Sequence, residues 1–264
     1  MDGRRMVPES AVVYPSRDGR PMGETDDHRD ELKDWMLNVL RDRFAGEPMV
    51  YVSGNNFVYF VEGDTKECVS PDVYVVKGVP NRQRDNYQAW KEGGRLPCFV
   101  LEITSKSTRR EDLGEKMAKY RDDLGVKEYF LFDPHREWVV DQLRGYALQG
   151  DMYQSINPNA AGRLPSGELG LELAVVGGHV RFFAPGDSAP LPTREERAEQ
   201  EHQRAEQEHQ RAEQERQRAE QEHQRAEQEH QRAEQERQRA ELAEQEALQL
   251  RTELERLRRE RGTA

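Results

Sequence analysis

The chain has 264 residues, of which 34% are hydrophobic and 34% charged, and its formal net charge is −11. An acidic total excludes the broad basic footprint of a protein that coats nucleic acid, while leaving room for local basic clusters at one site. Two cysteines supply neither zinc-ligand spacing nor a disulfide framework, and no window has the apolar length of a signal peptide or membrane span. The expectation is a cytoplasmic protein with no membrane partner.

Residues 1–23 hold Pro, Gly, Arg and Asp around one short apolar patch and read as a flexible arm. From Thr25 to Phe44, Leu32, Trp35, Met36, Val39 and Leu40 recur at helical spacing, with Thr25 or Asp26 as cap. Val50 to Val61 reads as one strand interrupted at Gly54-Asn55, followed by a strand over SPDVYVVKGV. The polar stretch 80–96 reads as a loop or short helix. CFVLEI and EYFLFD read as strands buried on both faces. Between them, residues 109–123 read as a helix that puts Asp112, Lys116 and Tyr120 on one face and stops at Gly125. Shorter strands are expected over EWVVDQL, RGYAL, DMYQSI, LGLELAVV and HVRFF. Residues 187–193 form a Pro-containing linker.

The remaining segment, 194–264, is a heptad array in which residues 197–217 recur unchanged as 218–238. Alanine at one seam position and glutamate at the other would bury little. Alternating Glu and Arg at i+3 and i+4 instead favour an exposed helix, which at ~1.5 Å per residue could run on the order of 100 Å. Near its end Ala243, Ala247, Leu250, Leu254 and Leu257 form an apolar stripe, a possible coiled coil and homo-oligomer contact.

Chemistry enters through two carboxylates on apolar strands, Asp72 and Glu102. An unpaired carboxylate in such a place is costly, so a compensating cation is expected, either a metal or a lysine. Two carboxylates from neighbouring strands plus a lysine could hold Mg²⁺ against a phosphodiester. Strand-end carboxylates with no chemistry are the competing reading.

The order Pro71-Asp72, Glu102 to Ser105, Asp112/Lys116/Tyr120 and Gly125 to Pro134 resembles the PD-(D/E)XK nuclease superfamily. More narrowly, it is similar to the bacterial "Uma-two" family of restriction endonucleases. The resemblance covers about residues 25–185. It implies an α/β restriction-endonuclease-like core over 24–186, a mixed central sheet flanked by helices, with Asp72, Glu102 and the backbone carbonyl of Ile103 as metal ligands. The superfamily pattern wants lysine two residues after the glutamate, where this chain has Thr104. Lys116 is the expected substitute and Lys106 its rival. His28 matches a family histidine, or is a helix N-terminal residue without chemistry. Ser105, Asp112 and Tyr120 are supporting candidates, and Arg82, Arg84, Arg109 and Arg110 could contact phosphates. The resemblance implies a Mg²⁺-dependent (or Mn²⁺-dependent) endonuclease acting on nucleic acid, with DNA the expected substrate. The alternative is a nuclease fold without catalysis, whose terminal helix assembles partners. A purely structural rod-bearing protein would leave the two strand carboxylates unexplained.

Overall fold

A computed structural model describes residues 12–16, 35–104, 114–137 and 139–261. In chain order, α1 (Asn38–Arg43) leads into β1 (Val50–Ser53), and β2 (Val58–Tyr59), β3 (Cys68–Val69) and β4 (Val73–Lys77) follow. β5 (Tyr87–Gln88) runs into a 3-10 turn, then come β6 (Phe99–Ile103), α2 (Lys116–Asp122) and β7 (Glu128–Phe132). β8 (Leu143–Gln149), β9 (Met152–Ser155), β10 (Leu164–Ser166), β11 (Leu171–Val176) and β12 (His179–Phe183) precede a long helix, α3 (Arg194–Arg261). The fold is mixed α/β. Two compact units, Met1–Arg197 and Ala198–Ala264, divide the chain.

The first unit is organised on a six-stranded sheet in the order β1-β4-β6-β7-β8-β9. Only β6 and β7 run parallel within it, and the long connection through α2 is what parallel neighbours require. Both strands are buried along their whole length, so continuous apolar runs suit them. Strand parity sorts the core into two layers. Val73, Val75, Phe99, Leu101, Phe130 and Phe132 face α1 and the β10-β11-β12 sheet. Tyr74, Val76, Val100, Tyr129 and Leu131 face α2 and the small β3-β2-β5 sheet.

Several local expectations change. Val50–Val61 is not one strand: β1 and β2 belong to different sheets, and the break comes at Gly54 and at Asn55, whose φ is 57°. EWVVDQL is not a strand among the described residues. The buried Asp133 carboxylate accepts N–H bonds from His135 (3.1 Å) and Val139 (2.9 Å), folding the segment into a turn that leaves Val140 exposed. β10 is a strand that the sequence pattern does not announce, because it carries Pro165 and proline removes a ladder donor. It survives because β10 is an edge strand.

The start of α3 is a reciprocal cap that the sequence Thr193-x-x-Glu196 spells out. Thr193 Oγ1 accepts the Glu196 N–H (3.1 Å), and Glu196 Oε2 accepts the Thr193 N–H (2.8 Å). Arg181 grips both oxygens of Glu196, and Asp42 of α1 accepts from Arg194 and Arg197. In the second unit the side chains of 198–254 are exposed, Leu242, Leu248, Leu250 and Leu254 among them. No described helix is long and apolar enough to cross a membrane.

Candidate active site

Val73 is paired with Leu101 across β4 and β6, so one step further along the ladder Asp72 stands opposite Glu102. Directly opposed residues of antiparallel strands share a face. That face is the one covered by α2. The two acids also interlock through backbone: Asp72 Oδ2 accepts the Ile103 N–H at 2.7 Å, and Glu102 Oε2 accepts the Asp72 N–H at 3.4 Å.

Glu102 is 1% exposed, a cost that its neighbours offset. Lys116 and Tyr120 are one helical turn apart on α2, and both reach Glu102 Oε1. Lys116 Nζ lies 3.4 Å away and the Tyr120 hydroxyl donates at 2.5 Å. Burial first, and then the Glu102 carboxylate, push the Tyr120 phenol well above its usual pKa, so it stays a neutral donor. Lys116 keeps 25% of its side chain exposed, placing the ammonium between the buried acid and solvent. The chain leaves the helix that carries this pair through Gly125, whose φ of 59° lets the Val126 N–H reach back to the Tyr120 carbonyl at 2.9 Å. Tyr120→Phe removes a hydrogen bond to a charged, buried acceptor, and is expected to lower unfolding free energy by about 1.5–3 kcal/mol. Urea denaturation followed by circular dichroism measures this; an unchanged midpoint would show that Glu102 does not depend on the phenol.

Gly54, a simple strand break in the sequence pattern, is the other wall of the site. A Cβ added there would stand 1.9 Å from the Asp72 carbonyl oxygen, and the next residue, Asn55, donates its N–H to the Pro71 carbonyl at 2.8 Å. The closeness of β1's end to Asp72 therefore depends on a missing side chain.

The remaining sequence candidates fall in three groups. Thr104 is buried, and its hydroxyl donates to the Phe132 carbonyl (3.3 Å). His28, Ser105, Lys106, Arg109, Arg110 and Asp112 lie outside the described residues. Arg84 is committed internally. It chelates both oxygens of Glu92 (2.8 and 2.9 Å), bonds the Arg82 and Pro80 carbonyls, and lies over the Tyr51 ring at 4.3 Å. Arg82 also reaches Glu92 (2.7 Å) but keeps 62% of its side chain exposed.

The Arg84 bond, helped by Arg82, holds the Glu92 carboxyl below its ordinary value of 4.5. A depressed folded-state pKa contributes stability that is complete above the unfolded value and is lost as pH falls through the folded one. Wild-type protein should therefore lose more stability than Glu92→Gln between about pH 5 and pH 3 in urea unfolding. Parallel pH profiles for the two proteins would contradict the pairing.

Two acids on one face, joined by a backbone carbonyl, form a hard-oxygen donor set of the kind Mg²⁺ takes together with water. Ile103 points its N–H toward Asp72, and the carbonyl of a strand residue points to the same side as its N–H. The position opposite Ile103 falls at Pro71, which has no N–H to occupy that carbonyl. The residues present thus fit a divalent cation. Among the described residues no group of three His, Cys, Asp or Glu side chains converges, so the carbonyl and water would have to complete the shell.

The sequence model of the Uma2 family, described as "Putative restriction endonuclease", matches residues 10–176. No curated protein matches. Among solved structures, a "putative nuclease belonging to DUF820" from Anabaena variabilis is similar at 16% identity, covering 50% of this chain and 68% of that one, with a TM-score of 0.36.

Proposed function

The chain belongs to the Uma2 family, whose description is "Putative restriction endonuclease", and from that premise we propose that it hydrolyses phosphodiester bonds of DNA with Mg²⁺ or Mn²⁺. The observation that carries the reading is the opposition of Asp72 and Glu102 on the α2 face, with Lys116 beside them. Asp72, Glu102 and the Ile103 carbonyl would hold the cation, which when bound supplies charge to the phosphoryl oxygen and acidifies a water. Lys116 orients the attacking water and offsets negative charge as the phosphate is attacked. Tyr120 fixes the rotamer of Glu102 and leaves its Oε2 directed toward Asp72.

Supercoiled plasmid incubated with Mg²⁺ or Mn²⁺ tests the proposal. Wild-type protein should nick or linearise it, Asp72→Ala should not, and Lys116→Met should slow turnover while keeping the metal requirement. Cleavage that survives Asp72→Ala refutes the assignment.

One observation favours a second reading. Lys116 already sits on Glu102 at 3.4 Å, so the buried acid has a cation without any metal. In that case the domain is a binding module, and its association with DNA or protein is indifferent to divalent ions. Binding that is equal in EDTA and in Mg²⁺, with no cleavage in either, selects this reading.

A further inference from the structure

A cleft of about 800 Å³ opens beside the candidate active site, over the end of β1. Its floor includes Tyr51 and Gly54, and Tyr51 lies on the α2 face of the sheet, the face of Asp72 and Glu102. Gly54, in that floor, is the residue pressed against the Asp72 carbonyl. Strands are spaced at about 5 Å, so the cleft lies one strand from Asp72 and two, about 10 Å, from Glu102. A nucleic-acid strand rises about 3.4 Å per nucleotide, so this offset corresponds to phosphates roughly one to three nucleotides from the one at the carboxylates.

Three arginines, Arg41, Arg82 and Arg84, line the cleft against one carboxylate, Asp85, although the chain as a whole is acidic. Arg41, on α1, is exposed, and its Nε is fixed on the Val52 carbonyl (3.3 Å). Among the described residues nothing sits on its Nη groups. Arg82 contributes a second exposed guanidinium, anchored at one corner by Glu92. Asn56 is 7% exposed, and its Oδ1 accepts from the Tyr74 hydroxyl (3.0 Å) and the Ser53 hydroxyl (3.4 Å). Both protein donors lie on the oxygen side, so the amide orientation is set and Nδ2 is left to the cleft that Asn56 lines. Arg84 lines the same cleft but serves it indirectly, bracing the 80–92 loop through Glu92.

We propose that this cleft holds the DNA backbone on one side of the cleaved phosphate, with Arg41, Arg82 and the Asn56 amide as its phosphate contacts. The proposal rests on the nuclease reading. It adds Arg41 and Asn56, which composition and motif spacing gave no reason to single out, and it assigns Arg84 a bracing role only.

Fluorescence anisotropy of a labelled duplex of about 20 base pairs, titrated with full-length protein in EDTA over a salt series, tests it. Removing one guanidinium from a phosphate should reduce the slope of log K against log [salt] by about 0.9. Arg41→Gln and Arg82→Gln should each show that reduction and weaken binding equally on unrelated duplex sequences. Asn56→Asp, which puts a carboxylate in the cleft, should weaken binding as well. Arg43→Gln is the control: Arg43 is on the same helix but pairs with Glu47, and its loss should leave the slope unchanged. Unfolding midpoints of all variants guard against loss of fold. Wild-type slopes in Arg41→Gln and Arg82→Gln, from a protein that binds and cleaves DNA, overturn the cleft assignment and leave the nuclease reading standing. Wild-type protein that neither binds nor cleaves overturns both.

Discussion

Glu102→Gln is expected to lower the rate of Mg²⁺-dependent cleavage by about a thousandfold or more, equivalent to about 4 kcal/mol of transition-state stabilisation. The substitution is nearly isosteric. It keeps an acceptor oxygen for the Tyr120 hydroxyl, which now donates at 2.5 Å, and removes the charge that faces Lys116 at 3.4 Å. The fold should therefore persist, and the loss should appear in turnover. Gel assays under single-turnover conditions measure the rate, and circular dichroism reports the fold. A folded Glu102→Gln protein with wild-type turnover would remove Glu102 from the chemistry and leave it as a buried structural acid.

Gly54→Ala is expected to slow cleavage by about a hundredfold, the cost of a displacement near 1 Å at a reacting site. It should also destabilise the protein by about 1–3 kcal/mol, as overpacking does. The added methyl would stand 1.9 Å from the Asp72 carbonyl oxygen and 3.3 Å from the Leu37 side chain. The first contact is with backbone, which cannot rotate away. Relief must come from moving the start of β4, and with it the Asp72 carboxylate that takes the Ile103 N–H. Rates from steady-state cleavage and midpoints from urea unfolding separate the two effects. Wild-type values for both would mean that the β1 end can shift without carrying Asp72.

The strands most legible in the sequence were the ones with no choice of face. CFVLEI and EYFLFD are buried on both sides, so an unbroken apolar run is the whole signal. Lys116 and Tyr120 were legible as a pair because a four-residue interval puts them on one side of a helix, and both are found on Glu102 Oε1. Contacts that depend on close backbone approach were not legible. Gly54 looks like any turn glycine until β4 is packed against it. EWVVDQL has the composition of a strand, but the Asp133 carboxylate, buried and seeking donors, takes the His135 and Val139 N–H groups and bends the chain. The charges around Arg84 suggested a surface for phosphates. A partner eight residues away, Glu92, turned the guanidinium inward, and charge spacing in a loop carries no such information.

Isothermal titration of Mg²⁺ or Mn²⁺ into the wild-type protein and into Asp72→Asn tests most directly whether the opposed carboxylates form a metal centre. The nuclease reading predicts saturable binding to the wild type and affinity at least about tenfold weaker for the variant, which loses one of two anionic ligands. Superimposable isotherms, or a wild-type protein that takes up neither ion, would contradict it.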